Sequence, residues 1–396
     1  MNKKFLALQI AIILFFAAMF FEIIPRPAVE GKRLYTKSFS PSFSEIQEDS
    51  PDFIKLSIGM TGLLKTDLQG DSLPIIETFK SDTGKTWNAQ SAGALVLQQY
   101  IQILREKYGE DFLLLSMGGI FQTNLISNPT QDGIFPLREL LQNFHAIHAD
   151  FEKNSQFNWP EGLPWVASNV YSIGNRSNVI SASVKPYLLL ERRGLRILIV
   201  SISEADERGL PGRSLTFHRD PVGAFTQIRQ GLGKTQPNLI IVLYRGDGLC
   251  VSKHTEKGLT WEESASAELE CNKNKGPFKF LRRLPPGTVH LLALTDPYNA
   301  FGVHSETAVL QVGDRGKYIG MVDFFFDKKN KILRKEKTRF HTFIKTCHFF
   351  HPETLDCTPT SNYVEQDTPN GAKTKYQKPA FFYGQQIHVP DKKDWP

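Results

Sequence analysis

The sequence predicts a layered α/β or α+β domain with helices packed over sheets. Short apolar runs of strand length alternate with stretches whose apolar residues recur at helical intervals, and the last third turns β-rich. The chain has 396 residues, 41% of them hydrophobic and 22% charged, which is enough apolar material for one large core or two smaller ones.

The amino end is a targeting signal. Lys3 and Lys4 precede an apolar stretch from Phe5 to Phe21, interrupted by Gln9 and closed by Pro25 and Pro27. Residues 1–25 therefore read as a signal peptide or an N-terminal membrane anchor, and the chain as exported to the periplasm or the extracytoplasmic face of a membrane. No small-x-small site follows Ala17–Ala18 and no cysteine offers a lipoprotein site, which favours the uncleaved anchor. Residues 26–51, rich in Ser and Pro, read as a tether. A domain over 52–345 and a cysteine-bearing tail over 346–396 follow.

The elements come in order. FIKLSIG (53–59) is a strand, and SAGALVLQQYIQILREKYG (91–109) is a helix that Gly109 stops. DFLLLS (111–116) is a second strand, leaving through Gly118–Gly119. FPLRELLQNFHAIHADFEK (135–153) has the spacing of an amphipathic helix, and LPWVASNVY (163–171) is strand-like. KPYLLLERRGLRILIVSISE (185–204) is a hairpin turning at Arg193–Gly194. The helix DPVGAFTQIRQGLGK (220–234) and the strand NLIIVLYRG (238–246) come next, then β-rich segments at 288–296 and 316–340.

Chemical motifs are sparse. GKT occurs at 84–86 and 233–235 without the glycine a phosphate-binding loop needs five positions earlier. Ser116 in SMGGI lacks the G-x-S-x-G frame of a nucleophile elbow, and Asn175 in NRS is a glycosylation acceptor by pattern only. The net charge of +6 is mild, and no basic stripe interleaved with aromatics marks a nucleic-acid partner. The basic run KKNKILRKEKTR (328–339) reads as a solvated edge at a hairpin turn, or as a contact with phosphate or acidic lipid. Proximity favours the disulfides Cys250–Cys271 and Cys347–Cys357 among three pairings. TCHFFHPETLDC (346–357) offers a metal site as the alternative.

Four blocks carry a family resemblance. DFLLLSMGGIFQTN resembles the strand of the 5′-nucleotidase branch of calcineurin-like metallophosphoesterases that ends in Asp-x-Gly-Asp before an aromatic-Gln-Gly-Thr. LPWVASNVY resembles that family's Phe-Pro-x-Leu-x-Ala-Asn strand, with Asn169 at the asparagine, and PYLLLERRGLRILIVSISE its hairpin. GKYIGMVDFFFD is similar to its closing Gly-Lys-Tyr-Leu-Gly-x-Leu-x-Leu-x-Phe-Asp, the most specific match. The resemblance runs collinearly over about 52–340. It implies an α+β fold layered αββα, a metallophosphoesterase-like β-sandwich flanked by helices, and only the family's catalytic domain.

It also implies a lost site. The family's chemistry uses two metal ions about 3.5 to 4 Å apart, held by Asp, His and Asn on loops after the strands. At those positions this chain has Gly59 and Thr61, then Ser116 and Gly119, the last in place of the carboxylate that bridges both metals. Next come His148 in an asparagine position, Ala149 in place of the phosphate-facing histidine, Arg245 in place of a histidine, and Tyr298 where the final histidine pair ends. A rival register of that last motif over 302–307 keeps His304.

The expectation is an exported, degenerate 5′-nucleotidase-like domain without metal or other cofactor and without catalysis, acting in binding or scaffolding in the cell envelope. Its partners would be the membrane through the N-terminal segment, an envelope protein through exposed aromatics at 346–382, and a small anion or phosphate on Arg245. The alternative is a divergent metal-dependent nucleotide hydrolase with a rebuilt site. There Arg245, Asp296 and Asp150 are the catalytic candidates and His148 and His304 the metal candidates, with Glu152 and Asp247 as further carboxylates.

Overall fold

The computed structural model describes residues 52–64, 75–80, 86–91, 94–119, 138, 140–149, 161–172, 183–204, 215–218, 220–246, 250–252, 259–266, 269–272, 274–295, 298–313, 316–346, 381–382 and 385–386. All of them belong to one compact unit, Lys37–Pro396; the other unit, Met1–Thr36, lies outside them.

Two large sheets are stacked. The strands of the first half are β1 (Phe53–Thr61), β2 (Ile75–Lys80), β3 (Thr86–Ser91), β4 (Phe112–Ser116), β5 (Ala146–His148), β6 (Trp165–Val166), β7 (Val170–Ser172), β8 (Val184–Lys185), β9 (Leu188–Arg192) and β10 (Leu195–Ser203). Those of the second half are β11 (Leu215–Phe217), β12 (Leu239–Arg245), β13 (Cys250–Ser252), β14 (Leu259–Thr260), β15 (Leu269–Cys271), β16 (Leu291–Thr295), β17 (Ala300–His304), β18 (Thr307–Val312), β19 (Tyr318–Asp327), β20 (Arg339–Phe340) and β21 (Ile344–Lys345). The first sheet runs β14-β20-β19-β1-β4-β5-β6-β8, with β21 also on β19, and the second β17-β18-β16-β12-β10-β9.

Strand alternation builds the layers. In β1 the side chains of Ile54, Leu56, Ile58 and Met60 point between the sheets, where they meet Leu195, Ile197 and Ile199 of β10 and Leu239, Ile241 and Leu243 of β12. The opposite faces of β10 and β12, from Leu198, Val200, Ile202, Ile240, Val242 and Tyr244, pack under the helices Pro221–Gly231 and Gly276–Arg282. On the first sheet Phe112 and Leu114 pack outward against the helix Ala94–Tyr108, through Val96, Leu97, Tyr100, Ile101 and Leu104. Each buried leucine or isoleucine contributes on the order of 1.5–3 kcal/mol. The result is the helix–sheet–sheet–helix layering that the sequence predicts.

Local signals account for the ends of the elements. Gly109, at φ 58°, ends the helix before β4. Asp220 caps the helix at 221 by accepting from the Val222 amide at 3.2 Å, with Pro221 in the first turn. Arg193 and Gly194 both have positive φ, the geometry of a two-residue hairpin turn, and they join β9 to β10.

Two expectations need correction. Among the described residues of the helix expected at 135–153, Leu140 and Leu141 are helical, whereas Ala146–His148 is a central parallel strand between β4 and β6. Both faces of that strand are buried, so its short apolar run carries no period of two and merges with the helical pattern before it. FLLLS is the fourth strand rather than the second, because the polar segments 75–80 and 86–91 pair as a hairpin.

The Cys250–Cys271 disulfide is formed, directly across the β13–β15 pair. Cys347 and Cys357 lie outside the described residues, as does nearly all of the tail at 346–382. Among the described residues no helix is long and apolar enough to cross a membrane, and the stretch Phe5–Phe21 lies outside them.

Candidate functional site at the carboxyl edges

β1, β4, β5 and β6 are parallel in one sheet and β10, β12, β16 and β18 in the other. Their carboxyl ends meet on one side of the molecule, where open α/β sheets bind ligands. The Leu63 amide, just past β1, donates to Thr295 Oγ1 at the end of β16 (3.2 Å), which ties the two edges together.

The exits of β1 and β4 are locked against each other. The Met117 amide donates to the Thr61 carbonyl at 3.1 Å, and the Leu64 amide to the Gly118 carbonyl at 2.8 Å. Thr61 and Ser116 are fully buried. Ser116 Oγ accepts from the Gly118 amide at 3.2 Å, and Thr61 Oγ1 has no partner. Gly119 holds φ 76°, and a Cβ there would sit 2.7 Å from Leu63 Cβ and 3.1 Å from its Cα. A Cβ at Gly59 would meet the Phe112 ring at 2.6 Å. Side chains of other residues thus fill the space beside both glycines.

His148 closes the next strand. It is 1% exposed, with Nδ1 at 2.6 Å from Ser201 Oγ and Nε2 at 3.2 Å from Ser203 Oγ. Burial, and then the nearby Arg245 charge, hold its pKa well below the ordinary value, so the imidazole is neutral. Both ring nitrogens are used in joining the sheets, an arrangement that leaves neither turned to a metal ion. Ser201 and Ser203 carry no motif, but their signal was in the sequence. Two serines two apart in the apolar run ILIVSIS must share a face, and the even alternation of β10 makes it the inner one.

Asn169, the asparagine of the resembling strand, is spent on backbone. Its Nδ2 donates to the Ser203 carbonyl at 2.7 Å and its Oδ1 accepts from the Ser203 amide at 3.0 Å. Ser168 does the same one step earlier, its Oγ accepting from the Ser201 amide at 2.8 Å and donating to the Pro186 carbonyl at 2.7 Å. The Ala149 amide donates to the Val166 carbonyl, and Ala149 is buried.

Arg245 ends β12, level with Ser203 of β10. Burial pulls its pKa down to about 10, so it remains a cation at neutral pH. The Glu204 amide donates to the Arg245 carbonyl at 2.7 Å, and the Glu204 carboxylate lies against Gly246 and Gly276, where any Cβ would collide with it. Tyr298 is 54% exposed, with its carbonyl accepting from Gln311 Nε2 at 2.9 Å.

His304 does not join this edge. It ends β17, which runs antiparallel to β18 and pairs His304 with Thr307, so it lies at the amino edge, roughly 13 Å along the strand from Ala300. There its ring packs on Phe278 at 4.9 Å. The rival register over 302–307 is accordingly a hairpin, turning at Ser305 and Glu306 with positive φ, and a rebuilt site uniting His148 with His304 is not formed. Asp150, Glu152, Asp247 and Asp296 lie outside the described residues. Among the described residues no three His, Cys, Asp or Glu side chains cluster to hold a metal ion. Among the described matching positions, Gly59, Thr61, Ser116, Gly119, Ala149, Arg245 and Tyr298 supply no carboxylate or imidazole, and His148 has both ring nitrogens on serines, a donor set that does not fit a dimetal centre.

No protein-family model and no curated protein matches the chain. Solved 5′-nucleotidases and calcineurin-like phosphoesterases are similar to it in fold. The NAD nucleotidase of Haemophilus influenzae is 14% identical at a TM-score of 0.49, over 74% of this chain and 50% of its own. The 5′-nucleotidase precursor of Thermus thermophilus is 20% identical at 0.47, over 76% and 55%. A calcineurin-like phosphoesterase of Bacillus subtilis is 14% identical at 0.47, over 73% and 91%. The chain spans about half the length of the first two. The likeness is one of fold.

Proposed function

We propose that this chain is an exported, membrane-tethered domain of phosphoesterase fold that does not hydrolyse phosphoesters and acts by binding or scaffolding in the cell envelope. The observation that carries the reading is the packing among the described residues of the carboxyl edge. Leu63 occupies the space beside Gly119, where a bridging carboxylate would have to stand, and His148 is clamped between Ser201 and Ser203. An apolar and serine-lined junction of this kind stabilises two sheets without ions, whereas a metal pair needs charged donors. Among the described residues of this edge, Arg245 carries a planar cation of the kind that fits a small anion, a phosphate or an acidic side chain of a partner.

The test is turnover. The full chain, folded and supplied with manganese and zinc, is incubated with p-nitrophenyl phosphate and with a nucleoside monophosphate. The proposal expects release no faster than in buffer and no effect of a chelator. Release that a chelator abolishes, and metal restores, overturns it.

A further inference from the structure

The amino edges of the two sheets lie opposite the carboxyl edges and have a character of their own. β19 leaves this edge through the turn Asp327-Lys328-Lys329-Asn330-Lys331-Ile332. The turn is rigid. Asp327 Oδ1 accepts from the Lys329 and Asn330 amides at 3.0 and 2.9 Å, the Asp327 amide donates to the Ile332 carbonyl at 2.9 Å, and Asn238 Nδ2 donates to the Lys331 carbonyl at 3.0 Å. It presents Ile332 at 59% exposure, the most exposed of the four exposed large apolar side chains among the described residues. Lys328 and Lys329 are exposed beside it, and Lys331 reaches across to the Arg193 carbonyl at the β9–β10 turn. Arg193 and Arg334 are paired with Asp111 and Asp327 at 2.8 and 3.0 Å, so the positive charge at this turn is that of Lys328, Lys329 and Lys331.

The chain also enters the domain here. β1 starts at Phe53 opposite Asp327, the Lys328 amide donates to the Asp52 carbonyl at 2.9 Å, and Lys337 lies 4.5 Å over the Phe53 ring. The described residues therefore begin at this basic edge, and the apolar stretch Phe5–Phe21 and the Ser- and Pro-rich segment precede them in sequence. An apolar tip held rigid among lysines is what an anionic bilayer recognises, through headgroup attraction and shallow burial of the tip.

We propose that the turn 328–332 is a docking surface for an anionic phospholipid bilayer, with Lys328, Lys329 and Lys331 on the headgroups and Ile332 at the headgroup–acyl boundary. The inference rests on the tethered reading of the chain. Docked this way, the domain turns its carboxyl edge, with Arg245 and Tyr298, away from the membrane by roughly the 27 Å length of β1.

The experiment places a photoreactive benzoylphenylalanine at position 332, and separately at 298, in the full chain. The protein is reconstituted in vesicles of phosphatidylcholine with or without phosphatidylglycerol. Irradiation should attach lipid at 332 at least about tenfold more than at 298, only where phosphatidylglycerol is present. Lys328→Glu with Lys329→Glu should cut that labelling about tenfold or more, at several-fold per basic residue. Equal labelling at the two positions, or labelling at 332 indifferent to phosphatidylglycerol, overturns the docking while the chain still floats with the vesicles. A chain that does not float overturns docking and tether together. Neither result bears on turnover, so failure of the non-catalytic reading is read separately.

Discussion

At the scale of single residues, Gly119 and His148 decide what the carboxyl edge can do. Gly119 combines a left-handed φ with a Cβ position already taken by Leu63. Gly119→Asp, the change that would put a carboxylate at the bridging position, should therefore lower stability by about 2–4 kcal/mol and yield no metal binding. Urea denaturation checks it, and a variant as stable as the parent would show the edge to be open. Ser201→Ala leaves a buried imidazole nitrogen without its 2.6 Å partner and should cost about 1–3 kcal/mol by the same measurement. Arg245 makes a binding prediction. If it holds an anion, inorganic phosphate should raise the melting temperature of the parent and not that of Arg245→Gln, as mass action on the folded state requires.

At the scale of elements, two histidines repeat one device. His145, before β5, donates its amide to the Leu114 carbonyl and accepts the Leu114 amide on Nδ1 at 3.0 Å. His290, before β16, does the same with Ile240, at 2.9 Å on Nδ1. Each fixes the register of a parallel strand against its neighbour, one in each sheet. Burial holds both pKa values down to about 4, and an Nδ1 that accepts an amide must be unprotonated. The unfolded chain binds these protons near pH 6.5 and the folded one does not, so stability is full above pH 6.5 and falls until about pH 4. The fall should be on the order of 1–3 kcal/mol for each histidine. Urea midpoints across that window check it, and Asn at 145 and 290, whose side-chain oxygen accepts the same amide without titrating, should flatten the slope. Neither role was legible in the sequence, because a histidine before an apolar run shows no periodicity. The alternation of β1, the Arg193–Gly194 turn and the run of β12 were legible, since each pattern is written within one segment. β5 was not, being three residues long and buried on both faces, and the β2–β3 hairpin has too little apolar alternation to announce itself.

At the scale of the whole molecule, the family resemblance was legible in the blocks DFLLLSMGGIFQTN, LPWVASNVY, PYLLLERRGLRILIVSISE and GKYIGMVDFFFD, and the expectation of lost ligands came from the residues at the ends of their strands. How the space at those positions is filled was not, because Leu63 and Phe112 reach it from a neighbouring strand of the same sheet and Ser201 from the facing sheet, contacts that no single segment announces. The polarity of the described domain, with a carboxyl edge bearing Arg245 on one side and a basic edge around Ile332 on the other, likewise arises from topology and not from any single segment. The central claim is that the dimetal centre implied by the resemblance has been replaced by packing. The most direct measurement is the metal content of the folded full chain, purified in the presence of manganese and zinc and assayed by inductively coupled plasma mass spectrometry. The account predicts metal far below one ion per chain, and two tightly held ions per chain would contradict it.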